Sequence, residues 1–393
     1  MLVVFGHNVK EIKFNVPFLA GNERKYLDEV FQNMQFAGNG PFTNRVQSFL
    51  EAYLNAPRVL LTHSCTGALE LAAMLAGFGP GDEVIVPSFT FVTSASAIQR
   101  TGATVVFCEV DQETMIVDLV DLESKITEKT KGVVIVDYAG NTCNFEQVTK
   151  ICSQYGLECI EDAAQGLGSL YKGKKLSTLA RFGAISFHET KNIHSGLGGC
   201  LVINNQKDVE KAEMVWERGT NRSAFFKGLV DKYSWQEIGS SFYPSELQAA
   251  FLFAQLEGLE TNLKKRKDVW ESYFNEISKI EKRSKFRILK TPDWCENNAH
   301  LFGLIFETPE MADKIRIDLN KHGINAVIHY VPLHESKVGA DLGYTASDLP
   351  ITSNAASCLL RLPLHHELSQ DDVFYIIQTL GELLDSNSPN YRL

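Results

Sequence analysis

The most restrictive feature of this sequence is a regular alternation of short apolar segments with amphipathic ones between residues 55 and 205. The apolar segments have the length of strands, and several of the stretches between them have the spacing of helices. The predicted strands are residues 59–62, 83–86, 104–110, 132–136, 157–160 and 184–187. Strands that alternate with helices form a mostly parallel sheet covered on both faces. We therefore predict a large α/β/α domain that binds its ligand beyond the carboxyl ends of the strands.

The C-terminal third predicts a second, smaller α/β unit. Its predicted elements are a helix over 245–280, a strand over 301–306, a helix over 311–321, a strand over 324–329 and a helix over 371–384. We expect the first of these helices to connect a large domain over 1–255 with a small C-terminal domain over 256–393. Residues 20–36 predict a helix, and residues 220–242 predict a long loop of the kind that is often functional.

Composition and charge restrict the class of protein. The hydrophobic fraction of 44% and the charged fraction of 22% are ordinary for a soluble globular protein. No apolar run approaches the roughly 20 residues that a membrane-spanning helix needs, and a net charge of −10 disfavours a nucleic-acid binder. The eight cysteines form no CxxC pair, so we expect reduced thiols, a cytoplasmic location and no metal site.

Two residues just beyond predicted strands carry the chemistry of a pyridoxal phosphate enzyme. Lys191 follows the last predicted strand and Asp162 follows the one before it. A lysine forms a Schiff base with an aldehyde, and an aspartate keeps a pyridine nitrogen protonated so that the ring accepts electrons. Each also has an ordinary interpretation, as a solvated lysine and as a helix cap. The glycine-rich segment 196–199 favours the functional interpretation, because it lets backbone approach a ligand.

Other residues near the same predicted strand ends have the chemistry to complete such a site. Cys65 and Thr66 open a predicted helix, whose N-terminal amides are suited to a phosphate, although small polar residues there are also ordinary caps. Ser186 precedes Lys191 by five residues and offers a hydroxyl to the same phosphate. Phe91 is a candidate for stacking on the pyridine ring, although a lone phenylalanine more often belongs to the core.

Three further positions are candidates for contacts with the ring or the substrate. Gln165 is placed to reach the phenolic oxygen of the cofactor, and its ordinary interpretation is an amide in a loop. His188, close to the lysine in sequence, is a candidate acid or base, and a structural hydrogen bond explains it equally well. His329 and Tyr330 follow a predicted strand of the small domain and are candidates for lining a substrate pocket.

Together these residues resemble the fold-type-I pyridoxal phosphate enzymes, the aspartate aminotransferase-like fold class. Within that class they resemble the sugar aminotransferases of the DegT/DnrJ/EryC1/StrS family. The resemblance extends from about residue 15 to the C-terminus, and its strongest segments are 79–91, 161–165, 186–192 and 245–250. Several ordered matches are more specific than any single motif. The resemblance implies pyridoxal 5'-phosphate as cofactor and a homodimer whose subunits share their active sites.

The resemblance also implies a role for each candidate residue. Lys191 takes the internal-aldimine position, Asp162 contacts the pyridine nitrogen and Gln165 lies beside the ring hydroxyl. The stacking aromatic and the phosphate contacts are Phe91, Cys65, Thr66 and Ser186.

Two positions depart from the family pattern. Leu197 stands where many members carry a glutamate, which changes the polarity of the loop after the lysine. Ser241 stands where many members place an asparagine that reaches the phosphate across the dimer interface. The resemblance therefore implies that Ser241 replaces one of those hydrogen bonds.

Within the family, segments 218–223 and 231–235 are most similar to the transaminases that make dTDP-4-amino-4,6-dideoxygalactose for enterobacterial common antigen or O-antigen, a part of lipopolysaccharide biosynthesis. The implied reaction moves an amino group from L-glutamate, leaving 2-oxoglutarate, to C4 of a dTDP-4-keto-6-deoxy-hexose.

Three alternatives stay open. The first is a related aminotransferase that acts on a 3-keto sugar or gives the gluco epimer. The second is a pyridoxal phosphate-dependent sugar dehydratase, and Lys191 argues against it because the dehydratases compared carry a histidine at that position. The third is a non-catalytic regulator or sugar-nucleotide-binding module.

Overall fold

The structure, a computed structural model, describes residues 11–226, 228–281 and 285–386. The ends of the two predicted domains, 1–10 and 387–393, lie outside it, as does residue 227 of the predicted loop. The helices are α1 Glu23–Asn33, α2 Pro41–Leu54, α3 Cys65–Ala76, α4 Val92–Gln99, α5 Leu119–Ser124, α6 Phe145–Tyr155, α7 Val209–Trp216, α8 Arg222–Phe226, α9 Glu246–Glu257, α10 Leu259–Glu281, α11 Pro309–Lys321, α12 Lys337–Asp341, α13 Pro350–Cys358 and α14 Gln370–Ser386. None of the helices in these described ranges has both the length and the apolar character needed to cross a membrane.

The strands form one large sheet and two small ones. They are β1 Arg58–Thr62, β2 Glu83–Pro87, β3 Thr104–Cys108, β4 Thr130–Val136, β5 Glu158–Asp162, β6 Leu170–Tyr171, β7 Lys174–Lys175, β8 Phe182–Ser186, β9 Gly199–Ile203, β10 Phe286–Ile288, β11 Cys295–Glu296, β12 Phe302–Phe306 and β13 Leu359–Leu362. The large sheet has seven strands in the order β1-β9-β8-β5-β4-β2-β3. Strand β9 is antiparallel to both of its neighbours, and the other pairs are parallel.

Both faces of the large sheet are buried. Successive side chains of a strand point to opposite faces, and in β2 the side chains of Val84 and Val86 pack in one apolar cluster while Ile85 packs in another. Helices cover both clusters, so the strands are apolar on both sides, as parallel sheets require. The predicted fold class, a mostly parallel α/β sheet of fold type I, is confirmed.

The C-terminal part has its own sheet and apolar cluster. Strands β10, β12 and β13 form an antiparallel sheet in the order β10-β12-β13. Helices α10, α11 and α14 contribute buried residues to the same cluster, among them Tyr273, Ile315 and Ile376. Ile12 from the N-terminal segment also packs there. The division into domains at residues 255 and 256 stays a proposal.

Two predicted elements of this part differ from the structure. The predicted helix over 245–280 is interrupted at Gly258, between α9 and α10. A Cβ on Gly258 would lie 2.7 Å from the Phe18 ring, so the N-terminal segment passes too close for a side chain there. The predicted strand over 324–329 is wrong. Ile324 and Val327 each form one isolated bridge, to different partners, and no ladder develops.

The strand directions place the ends of β1, β5 and β8 at one edge of the large sheet. Strand β9 runs between β1 and β8, and its Gly199 lies opposite both Thr62 and Ser186. A Cβ on Gly199 would be 2.4 Å from the amide nitrogen of Cys65 and 2.6 Å from its Cα. The first turn of α3 therefore rests directly on the backbone of β9, which fixes where this helix begins.

Replacement of Gly199 by alanine should displace the start of α3. Overpacking of this kind costs about 1–3 kcal/mol, so we expect Gly199→Ala to lower the midpoint of thermal unfolding. The matched control is Gly79→Ala, because a Cβ on Gly79 meets no atom within 4 Å. Calorimetry of both variants tests this packing, and equal midpoints would contradict it.

Candidate active site

A cavity of about 580 Å³ opens at the edge where β1, β5 and β8 end. It brings together nine of the predicted site residues: Cys65, Thr66, Phe91, Asp162, Gln165, Ser186, Lys191, His329 and Tyr330. His188 and Leu197 also line it. Ser241 does not line this cavity in the single chain; it is exposed, and its backbone forms an isolated bridge with Glu217.

One wall of the cavity is the N-terminus of α3. Ser64 caps the helix, because its hydroxyl accepts a hydrogen bond from the amide of Gly67 at 3.1 Å. Cys65 and Thr66 form the first turn, and Ser186 at the end of β8 lies at the same wall. Helix N-terminal amides and hydroxyl groups are suited to an anion such as a phosphate. Burial raises the pKa of the Cys65 thiol well above its usual value, so this side chain stays neutral.

Asp162 forms a second wall, at the last position of β5. Its side chain is 4% exposed. The hydroxyl of Ser94 donates to one carboxylate oxygen at 2.6 Å, and the amide of Ala164 donates to the other at 3.2 Å. Burial raises the pKa of Asp162, and these two donors together with the charge of Lys191 oppose that rise. A buried carboxylate with only neutral hydrogen-bond donors is suited to a cationic N–H group of a ligand.

Lys191 lies in the turn that follows β8, where its amide donates to the carbonyl of His188 at 2.9 Å. Burial lowers the pKa of the Lys191 amine, and the opposite charge of the nearby Asp162 carboxylate partly offsets this effect. A lowered pKa increases the fraction of neutral amine, which is the form that attacks a carbonyl and accepts a proton. The turn therefore places a nucleophile and base inside the cavity.

Two side-chain hydrogen bonds, one from Gln165 and one between Tyr138 and His329, connect the large sheet to the C-terminal part. The amide of Ala139 donates to the Gln165 side-chain oxygen at 2.7 Å, and the Gln165 side-chain nitrogen donates to the Tyr330 hydroxyl at 3.3 Å. The Tyr138 hydroxyl and the His329 ring are hydrogen-bonded at 2.9 Å. Tyr330 has a φ of 36°, in the left-handed region that is unfavourable for such a side chain. These contacts hold a strained residue at the cavity.

The Phe91 ring is available to a ligand. Phe91 precedes α4, lines the cavity and is 55% exposed. The centre of its ring lies 6.3 Å from that of Tyr330. The ring is therefore not packed in the core, and it offers a flat apolar surface to a planar ligand.

The structure adds residues to the site that the sequence did not reveal. Ser94 contacts Asp162 from within α4, and Arg266, His300 and Arg361 line the cavity from the C-terminal part. No sequence pattern distinguishes these residues. They reach the site only because segments that are distant in the chain pack against each other. In particular, Arg361 is flanked by leucines in an apolar strand.

The fold and the site together define an enzyme of the pyridoxal phosphate class. The profile of the DegT/DnrJ/EryC1/StrS aminotransferase family matches residues 17–381, nearly the whole chain. The chain therefore belongs to this family. The predicted family, the predicted aminotransferase class and the predicted cofactor, pyridoxal phosphate, are confirmed.

Relatives of known sequence align over nearly the full length. A protein of Geobacillus stearothermophilus called a pleiotropic regulatory protein is 30% identical over 379 residues, 94% of this chain and 98% of that protein. GDP-perosamine synthase of Caulobacter vibrioides is 28% identical over 382 residues, 96% of this chain and 99% of the synthase.

A solved structure has the same fold. Spr1654 of Streptococcus pneumoniae, assigned provisionally as a sugar aminotransferase, has been solved in a PLP-form. It superposes with a TM-score of 0.87 at 26% identity, covering 96% of this chain and 99% of Spr1654.

The described residues fit this cofactor. A buried carboxylate, a buried amine, a helix N-terminus and an open aromatic face line one cavity. These groups match a pyridine N–H, an aldehyde, a phosphate and a ring face. The assignment of each residue to its contact stays a proposal.

Removal of the Ser94 hydroxyl should change the pH dependence of the reaction. This hydroxyl lowers the pKa of Asp162, so Ser94→Ala raises that pKa and the carboxylate becomes protonated at a higher pH. We expect the acid limb of the profile of kcat/KM against pH to move to higher pH. Ser96→Ala, two residues farther along α4, is the matched control. Coincident acid limbs for wild type and Ser94→Ala would contradict the role of this contact.

Proposed function

We propose that this protein transfers the amino group of L-glutamate to C4 of a dTDP-4-keto-6-deoxy-hexose, giving dTDP-4-amino-4,6-dideoxygalactose. The proposed aminotransferase reaction is supported mainly by one observation: Lys191 and Asp162 line the same cavity at the edge of the sheet. The choice of sugar rests on the sequence of segments 218–223 and 231–235. The product would serve common antigen or O-antigen synthesis in the cytoplasm.

When bound, pyridoxal phosphate supplies an aldehyde that reacts with amines and a ring that accepts the electron pair of a broken C–H bond. Asp162 holds a proton on the ring nitrogen, because a buried carboxylate favours a cationic partner. The amine of Lys191 would act as the base that removes the α-proton of glutamate and holds that proton for its return. Proton transfer by a positioned group contributes about 10²–10⁴-fold to a rate.

The same lysine acts in the second half of the reaction. Once 2-oxoglutarate has left, the keto sugar enters the cavity and Lys191 delivers a proton to the sugar carbon that receives the nitrogen. The face of the sugar that meets Lys191 decides the configuration of the amine. His329, Tyr330 and Leu197 lie at the cavity and are our candidates for holding the sugar.

A homodimer with shared active sites is part of this proposal. Ser241 is exposed and lies outside the cavity of its own chain. Exposed apolar side chains also occur in and near the segment before it, namely Phe226, Leu229, Trp235 and Ile238. Such side chains are suited to contact with a second copy, and in that contact Ser241 would reach the phosphate of the partner.

Two alternatives have an observation in their favour. The aligned GDP-perosamine synthase favours a GDP-linked sugar. The relative called a pleiotropic regulatory protein favours a regulator, but Lys191 and Asp162 line the cavity here as catalysis requires. A regulator without catalytic activity would not require Lys191 and Asp162 together in one cavity.

The product of the purified enzyme tests the substrate. The enzyme is incubated with L-glutamate and either dTDP-4-keto-6-deoxyglucose or GDP-4-keto-6-deoxymannose, and the products are examined by mass spectrometry and NMR. We expect an axial amine at C4 of the dTDP sugar, together with an equal amount of 2-oxoglutarate.

Other products identify the alternatives. An amine at C3 or in the equatorial position, or amination of the GDP sugar alone, would contradict the proposed substrate. A deoxygenated sugar would identify a dehydratase. A colourless protein that takes up no pyridoxal phosphate would contradict catalysis altogether.

A further inference from the structure

A buried histidine outside the predicted site joins the C-terminal part to the large sheet. His334 is fully buried, and both of its ring nitrogens have hydrogen-bond partners. Nδ1 lies 2.6 Å from the hydroxyl oxygen of Ser88, the residue that follows β2, and Nε2 lies 3.0 Å from that of Ser353 in α13. The backbone amide of His334 also donates to the Ser88 hydroxyl oxygen at 3.1 Å. His334 therefore connects the end of β2 with α13.

The partners of the ring determine which nitrogen carries the proton. Burial lowers the pKa of His334, and nearby acidic side chains oppose this effect only in part. The ring is therefore neutral, with one proton. The hydroxyl of Ser353 donates to the Glu335 carboxylate or the Ala346 carbonyl, so its oxygen accepts the proton of Nε2. Nδ1 is then an acceptor, and the Ser88 hydroxyl donates to it.

Ser88 also bonds to the same segment through its backbone. The amide of Leu333 donates to the Ser88 carbonyl at 2.9 Å. Together with the two bonds to His334, three hydrogen bonds join Ser88 to residues 333–334. Ser88 is fully buried, and its own amide donates to the carbonyl of Cys108 in β3 at 3.0 Å. We call these three bonds between Ser88 and residues 333–334 the Ser88–His334 anchor.

The Ser88–His334 anchor holds one end of the segment 328–332, which contributes to the cavity wall. At the other end, Val327 and Arg361 exchange two backbone hydrogen bonds, of 2.8 and 3.1 Å. Between these fixed ends, Tyr330 has its unfavourable φ of 36°. A strained residue keeps its conformation only where the surrounding structure determines it. Loss of the anchor would therefore allow Tyr330 to relax to a more common conformation.

The Ser88–His334 anchor also positions an aromatic residue that follows β2. Phe91 comes three residues after Ser88, and the centre of its ring lies 6.3 Å from that of Tyr330. Between them in sequence, the buried Phe89 ring contacts Tyr330 edge to face, with centres 5.4 Å apart. Phe91 and Tyr330 both line the cavity. The anchor thus sets the spacing between two aromatic side chains at the cavity.

We propose that His334 is a positioning residue that, through the Ser88–His334 anchor, holds Tyr330 and Phe91 at the spacing that the sugar substrate requires. This inference rests on the proposed function in that the second substrate is a keto sugar. Lys191 and Asp162 are positioned by β8 and β5, not by the anchor, so the proton transfers do not depend on it. Loss of the anchor should therefore weaken sugar binding and leave the maximal rate nearly unchanged.

Steady-state kinetics of the holoenzyme with the keto sugar test this role. Ser88→Ala removes the donor to Nδ1 of His334. We expect its KM for the sugar to rise about 10-fold, as for the loss of a buried hydrogen bond, with kcat close to that of wild type. The matched control is Ser177→Ala. Ser177 is equally buried, and its hydroxyl has no hydrogen-bond partner among the described residues, so this variant should keep the wild-type KM.

Two substitutions of His334 separate the hydrogen bond to Ser88 from packing. Asparagine places an oxygen acceptor near the position of Nδ1, whereas glutamine places an amide nitrogen near the position of Nε2. We expect His334→Asn to have a sugar KM close to that of wild type and His334→Gln to have the raised KM of Ser88→Ala. Thermal unfolding of each variant shows whether the fold is intact.

Two further measurements do not depend on turnover. Nitrogen NMR of wild-type protein labelled at histidine reports the protonation of each ring nitrogen, and the signal of His334 is the one absent from His334→Asn. We expect the proton on Nε2 and none on Nδ1. Circular dichroism of the bound cofactor responds to the aromatic side chains around it, and we expect it to change in Ser88→Ala but not in Ser177→Ala.

Several results would overturn the proposal. These are an unchanged sugar KM and cofactor dichroism in a folded Ser88→Ala, a proton on Nδ1 of His334 in wild type, or the same KM in His334→Asn and His334→Gln. If wild type binds pyridoxal phosphate yet aminates no sugar, the NMR and dichroism results still test the Ser88–His334 anchor. In that case the proposed substrate, and not the anchor, is wrong.

Discussion

The carboxylate of Asp162 is almost completely buried, and its direct donors in the protein are the neutral Ser94 hydroxyl and Ala164 amide. A buried negative charge of this kind is unfavourable until a cationic group compensates it. Burial also disfavours the charged form of the nearby Lys191 amine and therefore lowers its pKa. The cavity that these two groups line therefore favours a ligand with a cationic nitrogen for the carboxylate and a carbonyl for the amine. Pyridoxal phosphate has both groups.

The backbone holds this pair in place with little freedom. Parallel pairing puts the ends of β5 and β8 beside each other, which fixes Asp162 and the turn that carries Lys191. The missing side chain of Gly199 lets the first turn of α3 approach the same edge. On the other side, Tyr330 adopts an unfavourable left-handed conformation that its contact with Gln165 stabilises. Strain of this kind is typical of positions that bind a ligand.

The sequence predicted those parts of the site that follow directly from strand ends. Asp162 and Lys191 come just after predicted apolar segments, so the rule for parallel sheets predicted that they lie at one edge of the sheet, and the structure has them at one cavity there. The sequence did not predict residues whose contact with the site depends on packing between distant segments. Arg361 looks like part of an apolar strand, Ser94 like an ordinary helix residue, and the segment 324–329 like a strand although it has only isolated bridges. Nothing local distinguishes such residues.

We propose that Lys191 is the residue that bonds covalently to the cofactor. Reduction of the purified holoenzyme with borohydride, followed by peptide mass mapping, tests it most directly, because reduction makes the bond between lysine and cofactor permanent. We expect a single modified peptide with the added mass on Lys191, and no such peptide in Lys191→Ala. Modification of another lysine, or retention of near wild-type turnover by Lys191→Ala, would contradict it.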